Sequence, residues 1–226
     1  MVLNLTCVRI SQIAACFSML SAFALAAPKP HVVSFGKWMT VKWSAGANEN
    51  TPLEMKIRPL YVDGRSKEFT QGLPHEVTDR LFVVRRAFRL NDTLPEENIS
   101  RWQWQRGGWL LVDRMTGRIS AVTLPEFDSY YSAINWYRDY AAYCGVSDDG
   151  KKVYAIVAQL GRRKPILKEA LRTEPGDMPD SACPAPLWQR QPTRVSFAPA
   201  ESEPSTFTVR GHTADLVNDE EEEATQ

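Results

Sequence analysis

Short runs in which apolar and polar residues alternate, each closed by a turn signal, constrain this chain more than any other feature. Val33, Phe35, Lys37, Met39, Val41 and Trp43 alternate with more polar neighbours, and Leu53, Met55 and Ile57 share one face of the run 53–62, which ends at Asp63-Gly64. A side-chain period of two is that of a half-buried strand, whereas a helix buries every third or fourth residue. Between Val77 and Leu90 the apolar block Leu81-Phe82-Val83-Val84 is followed by Arg85-Arg86 and then Ala87-Phe88, which reads as a long strand bent at the arginine pair.

Turn chemistry divides the rest. Asp113-Arg114-Met115-Thr116-Gly117 has an acid at its first position and a glycine for the left-handed position that closes a three-residue hairpin. Ser147-Asp148-Asp149-Gly150 repeats the pattern, and Gly161-Arg162-Arg163-Lys164 separates two more apolar runs. Gly107-Gly108 suits a two-residue hairpin turn, in which both positions can need positive φ. With that turn, 101–106, 109–113 and 118–124 make a meander, and 140–146, 152–160 and 165–171 are later strands. Tyr130, Ile134, Tyr137, Ala141 and Cys144 recur at helical spacing behind Asp128 and Ser129, which predicts a short capped helix over 128–139.

After Leu171 prolines punctuate the chain and apolar residues thin out. The expected organisation is an antiparallel β domain over 27–172, a Pro-rich extended segment over 173–198, and an acidic disordered tail over 199–226 with a short strand at 206–210. The fold class is mainly β, an antiparallel sandwich or curled meander with one short helix.

The first 26 residues have a different character. Arg9 precedes the apolar stretch Ile10–Ala26, which ends in Ala24-Leu25-Ala26 before Ala27-Pro28. A positive n-region, an apolar h-region and an A-x-A site make up a secretory signal peptide. Cleavage falls between Ala26 and Ala27, because a cut one residue later puts proline at the scissile bond. The stretch is shorter than the roughly 20 residues of a spanning helix. A competing route is lipidation: Ile13-Ala14-Ala15-Cys16 resembles a lipobox, but only six residues separate Arg9 from Cys16. The expected location is secreted or periplasmic.

Zero net charge conceals an asymmetry. Residues 27–198 hold 25 Lys/Arg against 19 Asp/Glu, and 199–226 hold Arg210 against eight acids. Six net positive charges spread over such a body are too dilute for a nucleic-acid binder, which clusters its cations. Two cysteines remain past the leader, Cys144 and Cys183, and an even pair in an exported chain predicts a disulfide.

Chemistry-bearing motifs are sparse. His31, His75 and His212 have no metal-ligand spacing, and no G-x-S-x-G, phosphate loop or dinucleotide fingerprint occurs. No metal and no cofactor is expected. Asp113, Glu126, Asp128 and Asp139 are carboxylates near aromatics, but nothing in the sequence sets two at catalytic separation. If Gly107-Gly108 is a hairpin, Trp102, Trp104, Arg106, Trp109 and Asp113 share one face, able to stack a sugar or peptide. The reading from sequence is an exported non-enzymatic binding or interaction protein with a glycan or peptide as partner. An exported hydrolase acting on envelope glycans is the rival.

Overall fold

The computed structural model describes residues 29–43, 53–91, 93, 100–171, 183–198 and 204–217. The Ala26–Ala27 cleavage site and Cys16 lie outside the described residues. The protein is mainly β, with three sheets and no helix among the described residues.

The first sheet contains β1 (Val33–Phe35), β2 (Met39–Trp43), β3 (Leu53–Val62), β4 (Arg65–Glu76), β5 (Leu81–Asn91), β6 (Trp102–Asp113) and β7 (Ile119–Val122). Its order is β1-β3-β2-β6-β5-β4, with β7 on β6, and β3 also pairs β4. Strands β2 to β6 therefore close on themselves. Each successive pair in that meander is antiparallel. Five strands running alternately up and down leave the first and last parallel, which is how β2 meets β6 at Trp43 and Trp104. Closure removes the open edges that a flat sheet would present.

Four-stranded meanders make the other two sheets. One comprises β8 (Asn135–Tyr137), β9 (Tyr140–Val146), β10 (Val153–Gln159) and β11 (Leu167–Ala170). The last comprises β12 (Leu187–Arg190), β13 (Thr193–Phe197), β14 (Ser205–Arg210) and β15 (Thr213–Leu216). The middle sheet is covered on both faces. Ala141, Tyr143, Ile156 and Ala158 pack with Val83, Trp109, Leu111 and Val122 of the first sheet. Ala142, Cys144, Ala155 and Val157 pack with Val195, Phe197, Phe207 and Val209 of the last. Alternate residues of β9 and β10 thus face different neighbours, so both strands need apolar residues throughout, as a doubly covered strand does. Full burial of each large side chain here stabilises by about 1.5–3 kcal/mol.

The local turns form as their residues dictate. The Asp113 carboxylate accepts from the Met115 and Thr116 amides at 2.8 and 3.3 Å, Gly117 N–H donates to Asp113 O at 2.8 Å, and Gly117 has φ +64°. Cys144 and Cys183 are bonded, with Cα atoms 6.1 Å apart.

Three expectations need correction. Gly107-Gly108 is not a hairpin turn: β6 runs through both glycines. Arg85 lies opposite Trp109 and Ala87 opposite Arg106, so Arg86 alone faces the two glycines in a β-bulge. A Cβ on Gly107 would sit 3.1 Å from Arg86 Cβ and 3.2 Å from Arg86 O, so any other residue there would make β5 give way by a few tenths of an ångström. The helix over 128–139 does not form. Asp128 caps as a helix N-cap would, accepting from the Tyr130 and Tyr131 amides at 2.7 and 3.0 Å. The turn ends there, because each apolar residue finds its own partner: Tyr130 against Trp43, Tyr137 against Trp188. Finally, the segments assigned to 173–198 and 199–226 contribute a complete sheet. The folded unit extends past 172, since Phe197 and Phe207 fill the outer face of the middle sheet. Residues 173–182 and 218–226 lie outside the described residues.

Candidate functional site

A pocket of about 540 Å³ opens between β7 and the end of β10. Its walls are apolar: Leu111 from β6, Ala121 and Val122 from β7, Leu124 beyond it, Trp136 from β8, and Ala141 and Ala158 from β9 and β10. The small residues are those that the alternation of β9 and β10 aims at the first sheet, and their size leaves the space. Gly161, with φ +79°, lets β10 reverse into β11 and carries Arg162 and Arg163 to the pocket lining. Both arginines are exposed, and neither has an ion-pair partner among the described residues.

Trp136 forms the aromatic wall. Its ring stacks on His75 at 6.0 Å and meets the edge of Trp109 at 5.3 Å. His75 Nε2 lies 2.8 Å from Arg138 O. A carbonyl only accepts, so that nitrogen carries the proton, and the imidazole is fixed in one tautomer. The Trp136 side chain is 8% exposed, and its buried Nε1–H has no hydrogen-bond partner. An unpaired buried donor costs about 1–3 kcal/mol. Gln159 closes the polar end, donating through Nε2 to Asp139 at 2.8 Å, with Oε1 3.0 Å from His212 Nδ1.

The five binding residues expected from sequence occupy separate surroundings. Trp102 is exposed at the start of β6, opposite Asn91. Trp104 is buried with Trp43, Met55, Ile57 and Ala87, the Phe69 ring edge-on at 5.0 Å and the Arg89 guanidinium over it at 4.9 Å. Arg106 lies over Trp43 at 4.4 Å. Trp109 is half-buried behind Trp136. Asp113 sits in its turn, where the Arg80 guanidinium holds its carboxyl below the usual carboxylate range. Trp43 links Trp104 to Arg106; no common platform unites all five.

The remaining candidate carboxylates also have partners. Glu126 pairs with Lys168, Asp128 holds its turn, and Asp139 accepts from Gln159. Among the described residues no three His, Cys, Asp or Glu side chains gather as a metal would require, and no helix is long and apolar enough to cross a membrane. The pocket residues come from five strands, the segment after β7 and one turn, with no spacing motif among them. The one local signal was the pairing of a glycine turn with two arginines at 161–163. No family model matches the chain, and no curated protein is significantly similar to it.

Proposed function

We propose that this chain is a binding protein that works outside the cytoplasm. It takes a small ligand with an apolar body and an acidic head, such as a peptide end bearing a carboxylate, in the pocket beside Trp136. The observation that carries this reading is the pocket itself. Its volume of about 540 Å³ falls within the range of small-molecule sites, and its walls are apolar with a few convergent polar groups. The apolar body would replace water against Leu111, Val122, Leu124 and Ala158, while Arg162 and Arg163 meet the head group. Export is supported by the leader-like pattern before Ala27 and by the Cys144–Cys183 disulfide, which persists in oxidising compartments. Binding is preferred to glycan hydrolysis because Asp113, Glu126 and Asp139 are each held by a neighbouring side chain.

The test is a titration of Trp fluorescence with N-acetyl-dileucine and with decanoate, using the chain from Ala27 onward. Saturable binding is expected, weakened about tenfold by replacing both Arg162 and Arg163 with Ala. Ala158→Trp, which fills the pocket, should abolish it. Binding that survives Ala158→Trp, or no binding of either probe, defeats the proposal.

A further inference from the structure

Two arginines flank the bulge in the first sheet, away from the pocket lining. Arg85 on β5 donates through Nη2 to Ser129 O at 2.5 Å and through Nε to Gly107 O at a long 3.4 Å. Arg106 on β6 lies over Trp43, its Cζ 4.4 Å from the ring centroid, and its buried Nε has no hydrogen-bond partner. Neither guanidinium is in an ion pair among the described residues. Elsewhere in this part of the fold Arg80 pairs with Asp113, Arg86 with Glu68, and Arg114 with Glu76, whereas Arg58, whose buried Nε also lacks a partner among the described residues, stands over Phe35 and Trp38.

Like charges brought together away from water destabilise each other. Burial, and then the charge of Arg106, pushes Arg85 down to about 10, and burial also lowers Arg106. Asp128 partly offsets this, but its carboxylate is committed to the Tyr130 and Tyr131 amides. Both arginines keep partial access to solvent. The Trp43 and Tyr130 rings stack 6.0 Å apart beside them, and Tyr130 Oη is anchored by donating to Gln105 Oε1 at 2.5 Å. A guanidinium offers a planar fork of donors that matches the oxygens of phosphate, sulfate or carboxylate. An anion entering here would meet the solvent-facing part of a guanidinium that has no ion-pair partner among the described residues and would relieve the repulsion.

We infer that Arg85 and Arg106 form an oxyanion-binding site, taking the phosphate, sulfate or carboxylate group of an acidic ligand, with Trp43 and Tyr130 as its aromatic wall. It shares no residue with the pocket beside Trp136, and does not depend on that pocket's function.

The experiment uses the chain from Ala27 onward labelled with 15N-arginine, titrated separately with sodium phosphate, sodium sulfate and sodium glucuronate at constant ionic strength, with sodium chloride as control. The Arg106 Nε–H resonance should shift saturably with at least one of the three and not with chloride. Which anion binds tightest separates tetrahedral from planar recognition. Arg106→Gln should weaken that binding by about tenfold or more, and Arg106→Lys, a point charge without the fork, should fall between. Replacing Arg162 and Arg163 with Ala should leave it unchanged. If Arg106→Gln does not fold, the wild-type resonance and Arg106→Lys still decide. No saturable shift with any of the three anions overturns the inference, and so does equal affinity in the Arg106 variants.

Discussion

Breaking the Cys144–Cys183 disulfide should remove a large share of this protein's stability, and the structure shows where the effect arises. The bond joins residues 39 apart in sequence, linking β9 to the start of the segment that leads into β12. Between them run β10 and β11, already held to β9 by the meander. Because β9, β10 and β11 are held by their own backbone pairing, the main effect expected of the bond is to shrink the unfolded ensemble. For a loop of this length the chain-entropy relation gives about 4 kcal/mol at 25 °C. Cys144 is also 2% exposed in the core with Ala155 and Val157, so replacing both cysteines with Ala adds roughly 1 kcal/mol for the lost sulfur. In a domain of this size the combined change corresponds to a drop of roughly 10–20 °C in Tm. Urea unfolding should be followed for the oxidised chain, the chain reduced with a phosphine, and Cys144→Ala/Cys183→Ala. Reduction isolates the cross-link, and the double variant adds the packing loss. If oxidised and reduced forms agree within about 1 kcal/mol, the loop-closure reasoning fails.

Further expectations follow from packing and charge. Gly145→Ala places a Cβ 2.3 Å from Ile156 Cδ1 and 3.2 Å from Glu126 O, and should cost about 1–3 kcal/mol. Ile156→Val should recover part of this in a double-mutant cycle, and simple additivity would count against the contact. Phe197 is fully buried and lies edge-on to Phe207 at 5.9 Å, so Phe197→Ala should lose about 3–5 kcal/mol in one cooperative transition. A split transition would mean that the last sheet folds separately from the other two. Arg80 holds Asp113, and Arg114 holds Glu76, below the usual carboxylate range. Each folded carboxylate then titrates below its unfolded counterpart, so the unfolded chain takes up protons first as pH falls. Their contribution is fully present above about pH 5 and fades below about pH 4. Asp113→Asn should flatten the acid limb of a stability-against-pH curve, and an unchanged slope would refute the assignment.

Whatever a few neighbouring residues decide by themselves was legible in the sequence. Alternation marked β2 and β3 as strands, because the period of two is a property of the extended backbone whatever it packs on. The Asp113–Gly117 and Ser147–Gly150 turns formed as expected, since the side chain of Asp113 or Asp149 bonds amides two or three residues on and the glycine takes φ +64° or +71°. The disulfide partners were legible because the two cysteines past residue 26 admit one pairing within the chain.

Tertiary structure decided the rest, wherever one local sequence fits two states of similar energy. Gly107-Gly108 can turn a hairpin or bulge a strand, and the long pairing of β6 with β5 on both sides of the glycines selected the bulge. That choice also dissolved the tryptophan platform, which rested on register, and a register change moves side chains to the other face. Asp128 to Cys144 has helical spacing, but a lone amphipathic turn gains little until something covers its face. Trp43, Phe127 and Trp188 drew Tyr130, Tyr143 and Tyr137 to separate places instead. The pocket beside Trp136 and the Arg85–Arg106 pair were invisible for the same reason. Each is assembled from residues tens of positions apart, and such proximity is a consequence of how closed and stacked sheets bury their apolar faces, which local pattern does not encode.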